Sequence, residues 1–195
     1  MFNNHQDNRQ VNLYDVLNNS YKPLKDQDRF YIKHGYKVDK ALSDRFHNVL
    51  WSPSQKKMIF TVAGSRTLVD WLINDPMLAL GGIKNTLRYN TAKEALEEAK
   101  KKYNPANTVV AGHSLGARIA SGIAGSSDKI YTYNGGHSLN NKIRNNENAI
   151  RVQGDLVSAL GSGNQKMNTI ENKNWIHDPY RSHNLDHLKD KKIFV

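Results

Sequence analysis

Cysteine is absent from the 195-residue chain. That excludes disulfides, thiol nucleophiles and cysteine-ligated zinc, and it leaves the redox compartment open. Long apolar runs are missing too, and nothing approaches the roughly 20 consecutive apolar residues of a membrane-crossing helix. The opening MFNNHQDNRQ has no apolar segment of the kind a secretory signal needs. These absences predict a protein that is soluble inside cells or carried in a particle such as a virion. Acidic residues are outnumbered, 18 against 28 Lys+Arg, for a net charge of +10. Such a surplus suits a soluble surface, an anionic membrane or a nucleic acid. The longest basic run, Lys100-Lys101-Lys102, follows Glu94, Glu97 and Glu98 on one predicted helix. Acid first and base last complements the helix dipole, so this run reads as structural. The remaining charge is dispersed and no nucleic-acid motif accompanies it. That argues against nucleic acid as a partner and leaves peripheral contact with an anionic membrane open.

What is present is alternation. The length fits one domain, residues 1–195. Val11 to Asn18 predicts a short helix with Val11, Tyr14, Val16 and Leu17 inward. DRFYIKHGYKVDKALSD predicts a connecting helix and a turn around Gly35. NVLWS and KKMIFTVAG predict a hairpin turning at Ser52-Pro53-Ser54-Gln55, because Met58, Phe60 and Val62 alternate. SRTLVDWLIND has helical spacing at Leu68, Trp71 and Leu72 and stops at Pro76. TAKEALEEAKKKY predicts a helix stopped by Asn104-Pro105. There follow a strand (NTVVAG), a helix (LGARIASGIAG), three strands (KIYTYNGG, AIRVQGD and QKMNTIEN) and a mostly irregular tail. Strands alternating with helices predict an α/β fold with a mostly parallel sheet. In such sheets function gathers at the carboxyl ends of the strands.

The stretch VVAGHSLGARIA puts Ser114 between Gly112 and Gly116 where a strand becomes a helix. G-x-S-x-G in that context predicts a nucleophile elbow, a strained turn that lifts the hydroxyl clear of the sheet. A Cβ at either glycine would crowd the neighbouring backbone. The amides at the start of the following helix, Leu115 first, can hold a developing oxyanion. An idle serine on a glycine-rich turn is the plainer alternative; the Walker and dinucleotide patterns are absent. A second oxyanion amide should come from another strand's loop. FTVAGSRTL offers Ser65, which also reads as a helix N-cap.

These segments resemble class 3 lipases, the fungal-lipase-like α/β-hydrolases. VVAGHSLGARIA is similar to their Gly-His-Ser-Leu-Gly segment, and VAGSRTLVDWLIND to their Gly-Thr/Ser then Asp-Trp stretch. YTYNGG is similar to the strand that follows, and RVQGDLVSAL to the Gly-Asp-x-Val-Ser acid segment. The resemblance runs from about Lys57 to Leu188. It implies a small, minimal α/β-hydrolase fold, with a mostly parallel central sheet and helices on both faces. It also implies a serine triad and hydrolysis of carboxylic esters, often of lipids, with no metal and no cofactor. The chain departs from secreted members in its shortness and its lack of cysteine and signal peptide. It also carries Ala63 where they have an arginine before Gly-Thr.

A serine needs an adjacent base, and this fold orders its triad Ser, then acid, then His. Asp155, after Gly154 at the end of AIRVQ, is the expected acid; an N-cap for LVSAL is the alternative role, and Asp178 the reserve acid. Among His177, His183 and His187, His183 in RSHNLDHL precedes Asn-Leu and is similar to the family's C-terminal His-Ser-Leu segment. His187, one helical turn later, is its rival. His113 precedes the nucleophile and is expected to point away across the pleat; it and His137 receive no role. WLINDPMLALGGI reads equally as core or as a lid and acyl-chain wall built from Trp71, Leu72, Met77, Leu78 and Leu80. With the basic surplus, it points to a lipid acyl ester and a lipase or phospholipase A1 activity. The competing readings are a catalytically inactive hydrolase-fold module that binds anionic membranes or nucleic acid, and a peptidase or thioesterase on the same fold.

Overall fold

Among the described residues, seven strands lie side by side in chain order in one sheet. The structure is a computed structural model and describes residues 10–65, 86–136, 142–159, 166–176 and 181–195. Helices α1 (Leu13–Asn19) and α2 (Leu24–Lys33) precede β1 (Lys37–Val38), β2 (His47–Ser52) and β3 (Lys57–Val62). Then come α3 (Leu87–Tyr103), β4 (Asn107–His113), α4 (Leu115–Ile123), β5 (Lys129–Tyr133), β6 (Glu147–Val152) and β7 (Asn168–Ile170). A 3-10 turn at Arg181–His183 and α5 (Asp186–Lys189) close the chain.

β1, β2 and β3 pair antiparallel, and β3 to β7 pair parallel. Each parallel step moves to the same side of the sheet. Right-handed crossovers therefore place α3 and α4 on one face. The core divides accordingly. Met58, Phe60, Val62, Val110 and Ile130 pack beneath Ala92, Ala99, Ile119 and Ala120 of those two helices. Their strand neighbours Ile59, Val109, Ala111 and Tyr133 face the other way, against Leu13, Val16, Leu17, Tyr31 and Leu188. The period of two along each strand makes this split. Helices thus cover both faces, as the sequence led us to expect.

Local chemistry sets the ends. Asn12 caps α1 by accepting from the Tyr14 amide, and Thr86 caps α3 by accepting from the Tyr89 amide. That cap starts α3 a turn earlier than its periodicity predicts. Asn104 ends it with φ 42°. The Lys100-Lys101-Lys102 run is structural: Lys100 pairs with Asp128 and Lys102 with Asp39, both at 2.6 Å. The two-residue β1, which pattern reasoning misses, exists through pairing with Leu50 and Trp51. The tail is more ordered than expected because it returns to the N-terminus: Leu13 N–H donates to Ile193 O, and Val195 N–H to Val11 O. The predicted helix SRTLVDWLIND and its stop at Pro76 lie outside the described residues. Among those described, no helix is long and apolar enough to cross a membrane.

Candidate active site

The carboxyl ends of β3, β4, β5 and β6 meet at one edge of the sheet, because those strands run parallel. Ser114 sits there with φ 58° and ψ −125°, an unfavourable conformation for a residue with a Cβ. Backbone bonds on either side hold it: Ser114 N–H donates to Tyr133 O, and Ala117 N–H to Ser114 O, both at 3.0 Å. A Cβ on Gly112 would collide with the backbone of Gly116, and one on Gly116 with the carbonyl of Val62. The sharp turn therefore depends on both glycines. Leu115 begins α4, so its amide belongs to the open, partially positive end of the helix.

The loop after β3 lies against this turn. A Cβ on Gly64 would reach within 3.0 Å of Ser114 Cβ and 2.9 Å of His113 O. Ser65 is the next residue. Arg88 approaches from α3 over the Phe46 ring, 4.6 Å from its centroid, and donates to the carbonyls of Ala63 and Gly64. A guanidinium thus serves this loop from elsewhere in the chain, although Ala63 replaces the arginine that the resemblance leads one to look for.

After β6, Gly154 at φ 82° turns the chain and Asp155 follows, fully buried. His183 Nδ1–H donates to Asp155 Oδ1 at 2.6 Å. The other carboxylate oxygen accepts from the Ser158 amide at 2.9 Å and from its hydroxyl. Burial alone would raise the Asp155 pKa. The His183 and Ser158 hydrogen bonds outweigh it and hold the carboxyl below its ordinary value. With Nδ1 as donor, a neutral His183 presents Nε2 as an acceptor. That Nε2 and Ser114 Oγ are both buried and have no hydrogen-bond partner. The His183 ring lies 4.8 Å from that of His113, the residue before Ser114.

The structure therefore brings Asp155 and His183 into contact and packs His183 against His113, the residue before Ser114. Asp155 holds His183 and also caps the turn at Val157 and Ser158, so the capping role is present alongside the contact with His183. His187 lies on α5 with its Nε2 unpartnered and makes no bond to Asp155. Asp178, His137, His177, and Trp71, Leu72, Met77, Leu78 and Leu80 lie outside the described residues. Among those described, no group of His, Asp and Glu could hold a metal.

His113 corrects an expectation. It is not idle: its ring donates to the His183 carbonyl at 2.9 Å and accepts from the Tyr21 hydroxyl at 2.6 Å. Asn134, at φ 46° after β5, donates to the carbonyls of Ser182 at 2.9 Å and His183 at 3.2 Å. The motifs GHSLG and YTYNGG contain these two residues, so the signal was present without its meaning. Tyr21, in the turn between α1 and α2, had no sequence signal.

Sheet order, elbow and acid loop together define an α/β-hydrolase fold. Solved structures carry the comparison to fungal lipases. The chain is similar to the triacylglyceride lipase of Rhizomucor miehei, with 16% identity and a TM-score of 0.51, over 77% of this chain and 72% of that one. It is also similar to the Lip2 lipase of Yarrowia lipolytica, with 12% identity and a TM-score of 0.49, over 76% and 72%. Against the Rhizomucor miehei lipase in its propeptide complex, with 16% identity and a TM-score of 0.46, the match covers 63% of this chain and only 50% of that one. The chain thus spans about half the length of that relative. At such identities the likeness concerns the fold. No family model matches the sequence, and no curated protein matches it.

Proposed function

We propose that this chain is a serine hydrolase of the class 3 lipase kind, cleaving carboxylic esters of lipid acyl groups as a lipase or phospholipase A1 does. The observation that carries this reading is the 2.6 Å bond from His183 Nδ1 to buried Asp155, on an imidazole whose Nε2 has no other partner. The orphaned Ser114 hydroxyl on its positive-φ turn is the complementary half. In the proposed reaction His183 Nε2 takes the Ser114 proton as Oγ attacks the ester carbonyl. Asp155 fixes the imidazole's tautomer and stabilises its charge. The amides of Leu115 and Ser65 receive the oxyanion, where one donor is worth about 3–4 kcal/mol. His183 then protonates the leaving alcohol, and water deprotonated by the same imidazole releases the acid. No step calls for a metal or cofactor.

Ser114 is only 1% exposed, and the proposed mechanism has an ester reach it once its surroundings open. A lipid surface is a fitting trigger for a chain of net charge +10, because each basic group near an anionic bilayer contributes about 1 kcal/mol. The competing reading, an inactive hydrolase-fold module on an anionic membrane, draws on the absence of a Ser114–His183 hydrogen bond.

A fluorophosphonate probe separates the two. The hydrolase reading expects stoichiometric labelling at Ser114, accelerated by anionic phospholipid vesicles. It also expects hydrolysis of p-nitrophenyl acyl esters and of the vesicle lipids, with Ser114→Ala losing all three. Vesicle binding without labelling or turnover would establish the module instead.

A further inference from the structure

Three arms of the candidate site arrive from separate parts of the chain: the Gly64-Ser65 loop, the Ser114 turn and the His183 loop. One line of hydrogen bonds joins them. Gly64 N–H donates to the Tyr21 hydroxyl at 2.7 Å. That hydroxyl lies 2.6 Å from His113 Nδ1, and His113 Nε2 lies 2.9 Å from the His183 carbonyl oxygen.

The polarity of this line is determined by chemistry. A carbonyl oxygen can only accept, so His113 Nε2 carries the proton. Neutral His113 then presents Nδ1 as an acceptor, and the Tyr21 hydroxyl must donate to it. The same hydroxyl still has a lone pair for the Gly64 amide. Burial keeps both side chains in these states. It pushes the His113 pKa down to about 3 and the Tyr21 pKa up to about 12. Each contact therefore has one arrangement across the working pH range.

We propose that Tyr21 is a positioning residue for ester hydrolysis: through His113 it sets the spacing between the oxyanion loop and the backbone of the general base. This inference rests on the hydrolase reading and adds a residue to it. In that mechanism Tyr21 acts through its bonds to Gly64 and His113. Its hydroxyl occupies the space where a Cβ on Gly64 would lie, and that Cβ would also press on Ser114. The phenol is thus wedged where the oxyanion loop meets the nucleophile turn. A second hold on His183, from Asn134, is anchored to β6 by the Val152 amide at 2.8 Å. The base loop is therefore kept in place when the Tyr21 link is cut, while the Gly64 amide is released.

The test is Tyr21→Phe, with kinetics on a soluble p-nitrophenyl ester and imidazole nitrogen chemical shifts of His113. Positioning predicts that kcat falls about 10- to 100-fold while KM stays within about twofold. Because the two residues act as one line, His113→Gln should add little to the loss in the Tyr21→Phe background. The nitrogen shifts of wild type should report the Nε2–H tautomer, unchanged from pH 5 to 8. Wild-type kcat in Tyr21→Phe would overturn the inference, as would multiplicative losses in the double variant or an Nδ1–H tautomer. A wild-type chain that no fluorophosphonate labels would instead remove the hydrolase reading, and the inference with it. If Tyr21→Phe folds poorly, His113→Gln alone decides: the same loss in kcat with KM within about twofold supports the inference, and wild-type kcat overturns it.

Discussion

The two edges of the sheet are held together by different means. At the amino edge, where α3 and α4 end, charges meet the helix termini. Lys100 reaches Asp128, and Arg144 donates to the carbonyls of Ser121 and Ala124 at 3.0 and 2.7 Å. Cations at these ends also complement the helix dipoles. At the carboxyl edge, buried and largely neutral groups do the holding: Tyr21, His113 and Asn134 bind backbone, and Asp155 is the one buried carboxylate on His183. The amino edge has each named group paired. The carboxyl edge leaves Ser114 Oγ and His183 Nε2 without partners. A buried polar atom without a partner costs about 1–3 kcal/mol. Under the proposed hydrolase mechanism, these two are where the fold gives up stability for chemistry. The difference implies that damage at one edge should be read in catalysis and damage at the other in stability.

The largest effects should fall on the carboxyl edge. Ser114→Ala is expected to cut kcat by about 10^4-fold or more, and Asp155→Asn by about 10^4-fold, in both cases with a folded chain by circular dichroism. Asp155→Asn keeps the shape and loses the preferred tautomer. Near-normal turnover in either variant would mean that the orphan atoms are not the reacting ones. A step smaller is Gly64→Ala. Its Cβ would strike the Tyr21 hydroxyl and crowd Ser114. It should cost about 100-fold in kcat, because displacing a loop by about 1 Å is enough for that. Single-turnover labelling of Ser114 checks it, since a misplaced oxyanion loop slows acylation itself.

These effects also show what pattern reasoning could reach. The Ser114 turn was legible because G-x-S-x-G has a mechanical reason, the Asp155–His183 contact only through chain order and family resemblance, and the strand periodicity that gathers the strand ends was legible too. The first turn of α3 was missed because a cap outweighed periodicity at its start. β1 was missed because two residues carry no period, and its strand character comes from its partner. His113 was misread for a related reason. Pleat alternation says which side of the sheet a side chain leaves from, but not that a C-terminal loop will return to meet it. Tyr21 could not have been found at all, since its role depends on a contact 92 positions along the chain.

The pH response should also separate the edges. The folded His113 pKa, about 3, lies below its unfolded value of 6.5. In that window the unfolded chain takes up a proton and the folded one does not, so stability falls as pH drops from 6.5 toward 3. Asp155 adds to the loss further down. Its carboxyl is held below the ordinary range in the fold, and the stabilisation present above that range disappears on protonation. Urea unfolding at pH 7 and pH 5 should show a decline of at most about 1.4 kcal/mol per pH unit from His113. His113→Gln should flatten that part of the curve while lowering stability at pH 7. A wild-type curve level between pH 7 and 5 would mean that His113 is solvated.

The smallest effect belongs to the amino edge. Lys100 is about one-third exposed, while Asp128 is buried and also accepts from the Gly125 amide at 2.6 Å. Replacing the cation with an apolar side chain of similar length, Lys100→Met, leaves that second hydrogen bond in place and keeps the stem's packing. Solvent screening makes such a half-exposed pair worth about 1 kcal/mol or less. Lys100→Met should therefore unfold at slightly lower urea with kcat on a soluble ester unchanged. The difference from wild type should shrink in 0.5 M salt, where the Debye length is about 4 Å. A kcat loss in this variant comparable to that of Gly64→Ala would mean that the edges communicate through α3, whose first turn carries Arg88 to the oxyanion loop.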